Sequence, residues 1–465
     1  MKQLYSILCQ LSSTNSTNEK IKIASDNKDN KDLQDFFKYS INPWPYGVSK
    51  IPYDIYTCVE WNTLTTVQDF CEVLDALKER KATGNAAIQL VKNILSRCSD
   101  EQQDIFIRML SHDSKTGLAR TSLEKIFPSL FDQKSKHMKA QSFSEKNISR
   151  IKFPAMSQLK ADGEINLCIV QCDGTAQSYS AKNIPFYGLD TLHKELSVFV
   201  CDEPVVLEGE FLVEGSGRPK EDTLDYGELG IYCNRKVGNG IINKSIQKTI
   251  SPVEAEKIHF VVWDMITLSE YEAERSTRSL TERFEKLKEF FKTPMSKVKL
   301  IPSKMVSSLE EAIADFKDKI SGGLEGTILK NTNTIWENTR SKDCVKFKLE
   351  ISSTMKIQGF NAGKPRTKYE NTLGSILCSS KDLKVIVNVG TGLKDSDRKE
   401  FWENKEKYIG TCIEVISNAI IKSEGKETYS LFLPKYAGMR QDKSEADSLE
   451  AIQLASEGSH LLAIK

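Results

Sequence analysis

The sequence predicts a multidomain protein with an all-α N-terminal domain, an α+β middle domain with antiparallel sheets and a C-terminal β-barrel. The length of 465 residues is sufficient for two to four domains. Apolar residues recur with a helical period in the first third, and short β-branched runs replace them from about residue 151. Short strand-like runs dominate after Lys348. We therefore expect domains at residues 1–130, 131–349 and 350–465.

The N-terminal domain is expected to be helical because its apolar residues recur every three or four positions. The pattern runs through "TTVQDFCEVLDALKERKATGN", stops at Gly84, and returns in "NAAIQLVKNILSRC". Two segments, Ser99–Gln102 and Thr121–Glu124, have the sequence of a capping box, which satisfies N–H groups at a helix start. The polar, lysine-rich segment 131–150 is typical of a linker.

The middle domain combines strand-like and helix-like runs. The strand-like runs are short, apolar and rich in β-branched residues: "INLCIVQC", "AQSYSAKN", "VVLEGEFLV", "IHFVVWDMI" and "GTILKNT". Cys172-Asp173-Gly174 between two of them indicates a hairpin turn. Helical patterns intervene in "SLTERFEKLKEFF" and "SSLEEAIADFKDKI". This mixture is typical of an α+β domain.

The C-terminal domain is expected to be a small barrel. Its strand-like runs are "STMKIQGF", "GSILCSS", "LKVIVNVG", "TCIEVISNAII" and "TYSLFLP". Five such strands in just over a hundred residues favour an OB-fold. The tail "SLEAIQLASEGSHLLAIK" is expected to form a short helix.

Composition excludes several classes of protein. With 65 Lys+Arg against 64 Asp+Glu, the chain is not uniformly basic, although basic residues can still gather on one face. The 11 cysteines contain no C-x-x-C, and the five histidines do not cluster with them, so a structural zinc site is not expected. Free thiols suit a reducing compartment. The N-terminus does not resemble a secretory signal, and no apolar run could span a membrane, so we expect a cytoplasmic protein.

One lysine, Lys160, lies between a predicted strand and an Asp-Gly turn in "LKADG". A K-x-D-G tetrapeptide alone is weak evidence, and an ordinary surface lysine is the alternative. Five further segments follow in order, and they are "LEGE" (207–210), "FVVWD" (260–264), "LEGTILK" (324–330), "VKFK" (345–348) and "RQDK" (440–443).

Together these six motifs resemble those of the ATP-dependent DNA ligases, within the covalent nucleotidyltransferase superfamily, and in particular the T-even bacteriophage members. The likeness covers nearly the whole chain, including "TGNAAI", "WENTRSK" and "NVGTGLKD" outside the motifs. It implies an enzyme that seals nicks in duplex DNA through lysyl-AMP and 5′-adenylated DNA, in replication, repair and recombination. The domain at 1–130 would then bind DNA, and that at 131–349 would catalyse adenylation.

The resemblance implies a role for each motif. Lys160 would be the nucleophile that attacks the α-phosphate of ATP, and nearby cations and partial burial can free its lone pair. Asp162 would fix the loop around it, and Lys346 and Lys348 would grip the phosphate. The other implied nucleotide-binding residues are Leu159, Glu210, Phe260, Arg283, Lys330, Arg440 and Lys443.

Magnesium is the metal that the resemblance implies. Glu210 and Glu325 are its expected ligands because carboxylate oxygens suit Mg²⁺ beside a phosphate. Glu210 could alternatively hold the ribose hydroxyls, and Phe260 would stack on adenine. For Phe260 the alternative is a core aromatic, and for Arg283 it is an exposed helical arginine.

Two positions depart from the family pattern. The motif normally continues K-x-D-G-x-R, but this chain has Ile165 where the arginine is expected, and Ala181 replaces a second arginine. In the family these arginines contact the ribose or the nick phosphate. Lys182, Lys236 or Lys244 could compensate in part, although lysine lacks the bidentate fork. We expect nick sealing to suffer more than self-adenylation.

The expected partner is nicked double-stranded DNA, bound through backbone phosphates and duplex shape. Residues 84–87, "GNAA", are a candidate backbone contact at a helix start, and a tight packing turn is the alternative. We expect a monomer, and a replication sliding clamp is a candidate partner. Arg440 and Lys443 would reach the ATP phosphates when the C-terminal domain swings about a hinge near Glu350–Ser353.

Other classes share the lysine motif. Messenger-RNA capping enzymes and RNA ligases use K-x-D-G, but the segments outside the motifs match neither. A non-catalytic DNA-binding relative is the third alternative, for which Ile165 and Ala181 are the evidence, and the retained lysines and carboxylates argue against it.

Overall fold

The computed structural model describes residues 1–48, 64–197, 202–215, 223–348, 350–364, 369–422 and 427–457. Its contacts divide the chain into two compact units. The first contains Met1–Ser135, Tyr179–Tyr187 and Lys244–Ile250, and the second contains Lys136–Ser178, Gly188–Asn243 and Ser251–Lys465. Within the described residues every helix is too short or too polar to cross a lipid bilayer.

The first unit is helical over the described part of residues 1–135, as predicted. Its helices in the described part are α1 (Lys2–Ser13), α2 (Thr17–Asp26), α3 (Lys31–Ile41), α4 (Val67–Lys78), α5 (Gly84–Leu95), α6 (Asp100–Leu110) and α7 (Arg120–Ile126). Their apolar faces meet in one core, where Phe36, Phe37, Phe70 and Phe106 are fully buried.

One of the two predicted capping boxes is confirmed. The Ser99 side chain accepts a hydrogen bond from the backbone N–H of Gln102, and the Gln102 side chain accepts one from the backbone N–H of Ser99. The prediction for Thr121–Glu124 is wrong, because α7 already begins at Arg120 and has no side-chain cap. The Arg120 Nε lies 2.6 Å from a carboxylate oxygen of Glu124, so the glutamate pairs one turn back along the helix instead of folding onto a cap.

The second unit begins with two five-stranded sheets. The strands are β1 (Lys139–Ser142), β2 (Ala155–Leu159), β3 (Glu164–Val170), β4 (Ala176–Tyr179), β5 (Val205–Val213), β6 (Thr223–Asp225), β7 (Ile231–Cys233), β8 (Ile258–Thr267), β9 (Arg275–Ser279), β10 (Val298–Leu300), β11 (Ser303–Val306), β12 (Gly326–Asn331), β13 (Ile335–Glu337) and β14 (Arg340–Lys348). The helices are α8 (Glu145–Ile148), α9 (Asp190–Leu196), α10 (Arg235–Ile246), α11 (Pro252–Ala255), α12 (Leu268–Glu272), α13 (Leu280–Phe290) and α14 (Leu309–Ser321).

These sheets confirm the α+β class but are not purely antiparallel. The strand orders are β1-β14-β12-β2-β11 and β10-β8-β5-β3-β4. The edge pairs β1–β14 and β8–β10 are parallel. A parallel pair needs a long crossover, and helix α13 lies in the connection from β8 to β10. The expectation of antiparallel sheets is therefore wrong at these two edges.

The C-terminal part of the second unit contains a third five-stranded sheet and a separate two-stranded sheet. The strands of this part are β15 (Ile351–Ala362), β16 (Leu373–Ser379), β17 (Ile386–Val389), β18 (Cys412–Ser417), β19 (Ala419–Lys422), β20 (Tyr429–Phe432) and β21 (Lys435–Met439), and its helices are α15 (Asp395–Glu403), α16 (Lys405–Tyr408) and α17 (Leu449–Glu457). The predicted tail helix is confirmed as α17, and residues 458–465 lie outside the described residues.

This third sheet is not a closed barrel. Its order is β17-β16-β15-β18-β21, with antiparallel neighbours, and β19 pairs separately with β20. Among the described residues, the two edges are joined only by an isolated bridge between Thr391 and Lys435. The sheet has its own apolar core, separate from those of residues 136–348. The boundaries at 130 and 349 stay predictions.

Candidate active site

Lys160 follows directly after strand β2, all five residues of which are buried. The Lys160 backbone N–H donates to the Gly326 carbonyl at 2.9 Å, and the Leu159 N–H donates to the Pro302 carbonyl at 2.9 Å. The Lys160 side chain is 19% exposed, and its ammonium is ion-paired with the carboxylate of Glu325. The amine is therefore held at a fixed point at the end of a central strand, which an ordinary surface lysine would not be.

The turn after Lys160 explains the Asp-Gly sequence. A Cβ on Gly163 would lie only 2.0 Å from the Phe211 carbonyl oxygen, so a side chain cannot be accommodated there. The Gly163 N–H donates to Glu210 Oε1 at 3.1 Å, and the Asp162 N–H donates to the Tyr226 hydroxyl at 3.3 Å. The turn is thus fastened to strand β5, which carries Glu210.

Three carboxylates and two cations surround the turn. Burial, and then the Glu325 carboxylate, raise the pKa of Asp162, while Arg235 and Lys160 oppose the rise. Burial raises the pKa of Glu210 to about 8, against the positive charges of Lys160 and Arg235. These mutual effects show that the carboxylates and cations around the turn lie close enough to interact electrostatically.

Two more lysines extend this charge cluster along strand β14. Burial lowers the pKa of Lys346, and the positive charges of Lys348, Arg340 and Lys160 lower it further. Lys348 Nζ donates to Asn418 Oδ1 at 3.1 Å and lies 3.3 Å from a Glu350 carboxylate oxygen. Concentrated positive charge of this kind suits a polyphosphate, which would relieve the repulsion between the lysines.

A cavity of about 610 Å³, including its open mouth, lies beside Lys160. Four of the predicted site residues line it, namely Leu159, Lys160, Glu210 and Lys330. Its remaining wall includes Gln158, Glu208, Trp263 and Asp264. The sequence motifs "LKADG", "LEGE", "FVVWD" and "LEGTILK" therefore converge on one cavity.

Gln158 also lines the cavity, although no sequence motif predicted it. Its side chain is 1% exposed, and neither its Nε2 nor its Oε1 has a hydrogen-bond partner among the described residues. A buried amide without partners is costly unless a ligand satisfies it. The available signal was a polar residue within an otherwise buried strand, two positions before the lysine.

Phe260 and Arg283 are not among the cavity-lining residues. The Phe260 ring is fully buried and packs edge-on against Phe211, with ring centroids 5.5 Å apart, which matches the core alternative. Arg283 is fully buried, so the exposed-helix alternative is wrong. Its guanidinium makes a bidentate pair with Asp264, at 2.8 and 2.9 Å, and reaches the cavity only through that residue. Adenine stacking by Phe260 and nucleotide contact by Arg283 stay predictions.

The remaining motif, residues 440–443, directly follows β21, the last strand of the third sheet. Arg440 makes a bidentate pair with Asp442, at 2.8 and 2.7 Å, and Lys443 Nζ lies 3.5 Å from Asp447. Neither cation lines the cavity. Their predicted contact with ATP phosphates therefore requires the C-terminal part to move.

The two departures from the family pattern occupy different units. Ile165 is half-buried on β3 and lies directly opposite Glu210 on β5. Ala181 and Lys182 belong to the first compact unit. The structure thus places an apolar side chain beside the carboxylate cluster, where the family has a cation.

A magnesium ion is compatible with this donor set. Among the described residues, no group of three or more His, Cys, Asp or Glu side chains is arranged to hold a metal. Mg²⁺ commonly binds through one or two carboxylates together with substrate phosphates and water. Glu210 and Glu325 provide two such carboxylates beside Lys160.

Comparisons with known proteins agree with these features. Residues 137–348 match the model of the ATP dependent DNA ligase domain. The chain is 33% identical to the DNA ligase of Enterobacteria phage T4 over 96% of this chain and 97% of that protein, and 32% identical to that of phage T6 over the same shares. A solved structure named Pmar-Lig_Pre superposes with a TM-score of 0.70 at 20% identity, over 94% of this chain and 99% of that one, which supports the fold alone. The chain belongs to the family of ATP-dependent DNA ligases.

Proposed function

We propose that this ligase seals nicks in duplex DNA through an adenylate carried on Lys160. The single observation that supports this most directly is the Lys160 ammonium, ion-paired with Glu325 at the edge of a cavity lined by four predicted site residues. In the proposed sequence the enzyme is adenylated first, the adenylate moves to the 5′-phosphate of the nick, and the 3′-hydroxyl then displaces AMP.

The first step requires a neutral amine on Lys160. Its Nζ attacks the α-phosphorus of ATP, a P–N bond forms, the bond to the bridging oxygen breaks, and pyrophosphate leaves. Glu325 is the group placed to take the proton that the ammonium must lose. Lys346 and Lys348 would hold the phosphates, because such transfer depends mainly on charge neutralisation and positioning.

Glu210 and Glu325 would hold a magnesium ion at this point. When bound, Mg²⁺ would neutralise charge on the phosphate oxygens during transfer. Because burial raises the pKa of Glu210 to about 8, this carboxyl would have to lose its proton in order to act as a ligand. Lys330, which is 5% exposed on the cavity wall, would stabilise the same negative charge.

Gln158 would bind the edge of the adenine base. An amide can accept from the exocyclic amino group and donate to a ring nitrogen, so adenine would satisfy both of its unpartnered atoms at once. The same amide rotated by 180° could match guanine. The choice of ATP therefore follows from the family and not from Gln158 alone.

The third sheet would act as an OB-fold domain. Its five antiparallel strands and separate core support this assignment. We propose that it moves about Glu350–Ser353 to bring Arg440 and Lys443 to the ATP phosphates. The hydrogen bond between Lys348 and Asn418 crosses the proposed hinge and would have to break. The helical first unit would contact the duplex, and the protein would act as a monomer in the host cytoplasm, with a sliding clamp as a candidate partner.

Labelling with α-labelled ATP or GTP tests the proposal. The protein is mixed with Mg²⁺ and either nucleotide, and nicked DNA is then added. We expect label from ATP on the protein, its discharge on nicked DNA, and its complete loss in Lys160→Ala with an unchanged melting temperature. Label from GTP would indicate a capping-type enzyme, discharge only on RNA ends would indicate an RNA ligase, and DNA binding without label would indicate a non-catalytic relative.

A further inference from the structure

Arg235 lies beside the nucleophile although it belongs to none of the six motifs. It is the first residue of helix α10, and its Nη1 lies 3.4 Å from Asp162 Oδ1. Asp162 is two residues after Lys160, so the Arg235 guanidinium lies beside the turn that follows the nucleophile. Its positive charge also opposes the burial that raises the pKa values of Asp162 and Glu210.

Helix α10 holds Arg235 in this place. Asn239, one turn further along, donates from Nδ2 to Glu164 Oε2 at 3.2 Å. Residues four apart share one face of a helix, so this face of α10 lies along residues 162–164. At the start of the helix the Val237 N–H donates to Asn234 Oδ1 at 3.1 Å. The hydrogen bonds of Asn234 and Asn239 therefore hold this part of α10, and with it Arg235, beside residues 162–164.

The guanidinium retains capacity for a ligand. Its side chain is 44% exposed, and among the described residues Asp162 is the carboxylate with which it forms an ion pair. A guanidinium has five N–H donors in a fork that matches two phosphate oxygens. The 3.4 Å contact with Asp162 is long, so a phosphate can compete with that carboxylate for the fork.

The position of Ile165 explains why a cation from another element would be needed at this turn. Ile165 lies opposite Glu210, where a half-buried apolar side chain offers no charge to a phosphate. Arg235 reaches the same turn from a different element. We propose that Arg235 binds the 5′-phosphate of the nick, and so provides from helix α10 the cation that position 165 lacks. This inference depends on the proposed nick-sealing function.

The phosphates of ATP are the alternative ligand for the Arg235 guanidinium. Lys346 and Lys348 already concentrate positive charge on strand β14 for those phosphates. Arg235 belongs to a different element, helix α10, and contacts the turn that leads to Ile165 through Asp162. We therefore assign Arg235 to the phosphate of DNA, and the experiment separates the two.

The experiment compares Arg235→Ala and Arg235→Lys with the natural protein and with Arg275→Ala. Arg275 is a matched control because it is an exposed arginine that is also paired with one carboxylate, that of Glu337, and does not line the cavity. Three quantities are measured: the rate of lysyl-AMP formation without DNA, the single-turnover rate of transfer to a nick, and the affinity of the adenylated enzyme for nicks ending in 5′-phosphate or 5′-hydroxyl.

For Arg235→Ala we expect lysyl-AMP formation within about twofold of normal and transfer slower by about tenfold or more, as expected for loss of a charged hydrogen bond. The preference for 5′-phosphate over 5′-hydroxyl nicks should collapse, and Arg235→Lys should recover part of it. Adding Ile165→Arg to Arg235→Ala should restore transfer in part. The control should behave as the natural protein.

Two results would overturn the assignment. One is an unchanged phosphate preference in Arg235→Ala, which is a ratio within one preparation and does not depend on how much protein is folded. The other is an equal loss of lysyl-AMP formation, which would move Arg235 to the ATP phosphates. Failure of the nick-sealing proposal itself would appear separately, as no labelling of the natural protein by ATP.

Discussion

The ammonium of Lys160 is ion-paired with the carboxylate of Glu325, 165 residues later in the chain. Two separate motifs therefore meet at one ion pair, since the N–H of Lys160 also donates to the carbonyl of Gly326. In the proposed mechanism, the carboxylate of this pair removes the proton from the ammonium.

We expect Glu325→Gln to slow lysyl-AMP formation by about 100-fold at neutral pH, as loss of a general base typically does. The isosteric amide keeps a hydrogen bond to Lys160 but cannot accept its proton. The measurement is the rate of label incorporation from α-labelled ATP, with Glu337→Gln as the control for a carboxylate outside the cavity. A rate within about twofold of the natural protein would show that another group takes the proton.

Substitution of Gln158 is expected to preserve or raise the stability of the protein but to weaken ATP binding. Gln158→Leu replaces a buried amide that has no partner among the described residues. The unliganded protein should be as stable or more stable by about 1 kcal/mol, because an unsatisfied polar group is removed. The KM for ATP should rise by about tenfold, because the base edge loses its partner, while the KM for nicked DNA should not change.

Urea unfolding and lysyl-AMP kinetics check these two effects of Gln158→Leu. A loss of stability together with an unchanged KM for ATP would show that Gln158 serves the fold and not the nucleotide. Ser157→Ala, on the same strand, removes a side chain that bonds to Asp315 at 2.6 Å and is a control for disturbance of β2.

Glu210 predicts a pH dependence of stability. Its pKa is about 8 in the folded protein, above the ordinary value of 4.5. A raised carboxyl pKa means that the folded state binds the proton more tightly, so this contribution to stability is fully present below about pH 4.5 and is lost as the pH rises towards 8. This contribution to stability is fully lost above about pH 8.

We expect Glu210→Gln to flatten the stability profile between pH 5 and 9 and to slow adenylation severely. Glu208 is the matched comparison, because burial also raises its pKa to about 8, while Trp336 Nε1 donates to it at 2.9 Å. Glu208→Gln should change the profile in the same direction. If neither substitution alters the pH dependence measured by urea unfolding, these carboxyls are not protonated in the folded protein.

Substitution of Arg283 can distinguish a structural role of this residue from direct binding of the nucleotide. Removing one partner of a buried ion pair leaves the other charge uncompensated and typically costs about 3–5 kcal/mol. Arg283→Met should therefore destabilise the protein by about that amount through Asp264. The KM for ATP, measured well below the melting temperature, should change by less than about threefold. A large rise in KM with normal stability would instead support the direct nucleotide contact implied by the family.

The sequence predicts four of the residues that line the cavity, including Lys160. Lys160, Glu210 and Lys330 could be predicted because each lies in a short motif whose chemistry is characteristic. Gln158 could not, because its importance depends on being buried without partners, which only the packing of β2 between its neighbours reveals. Arg235 could not be predicted because it lies in no characteristic motif, and its contact with Asp162 depends on the packing of α10 against residues 162–164. The parallel edges and the open third sheet also depend on long-range pairing.

Ile165 offers a gain-of-function prediction. Ile165→Arg would place a second guanidinium opposite Glu210, on the turn that follows the nucleophile. Because a guanidinium can bind a phosphate bidentately, we expect single-turnover nick sealing to become faster, by about two- to tenfold, while lysyl-AMP formation stays within about twofold. Ile165→Lys should give a smaller gain because lysine lacks the fork. Quenched-flow assays on a pre-adenylated enzyme measure the effect directly. Equal sealing rates for the natural protein and Ile165→Arg would contradict the interpretation that the missing arginine at position 165 weakens nick sealing.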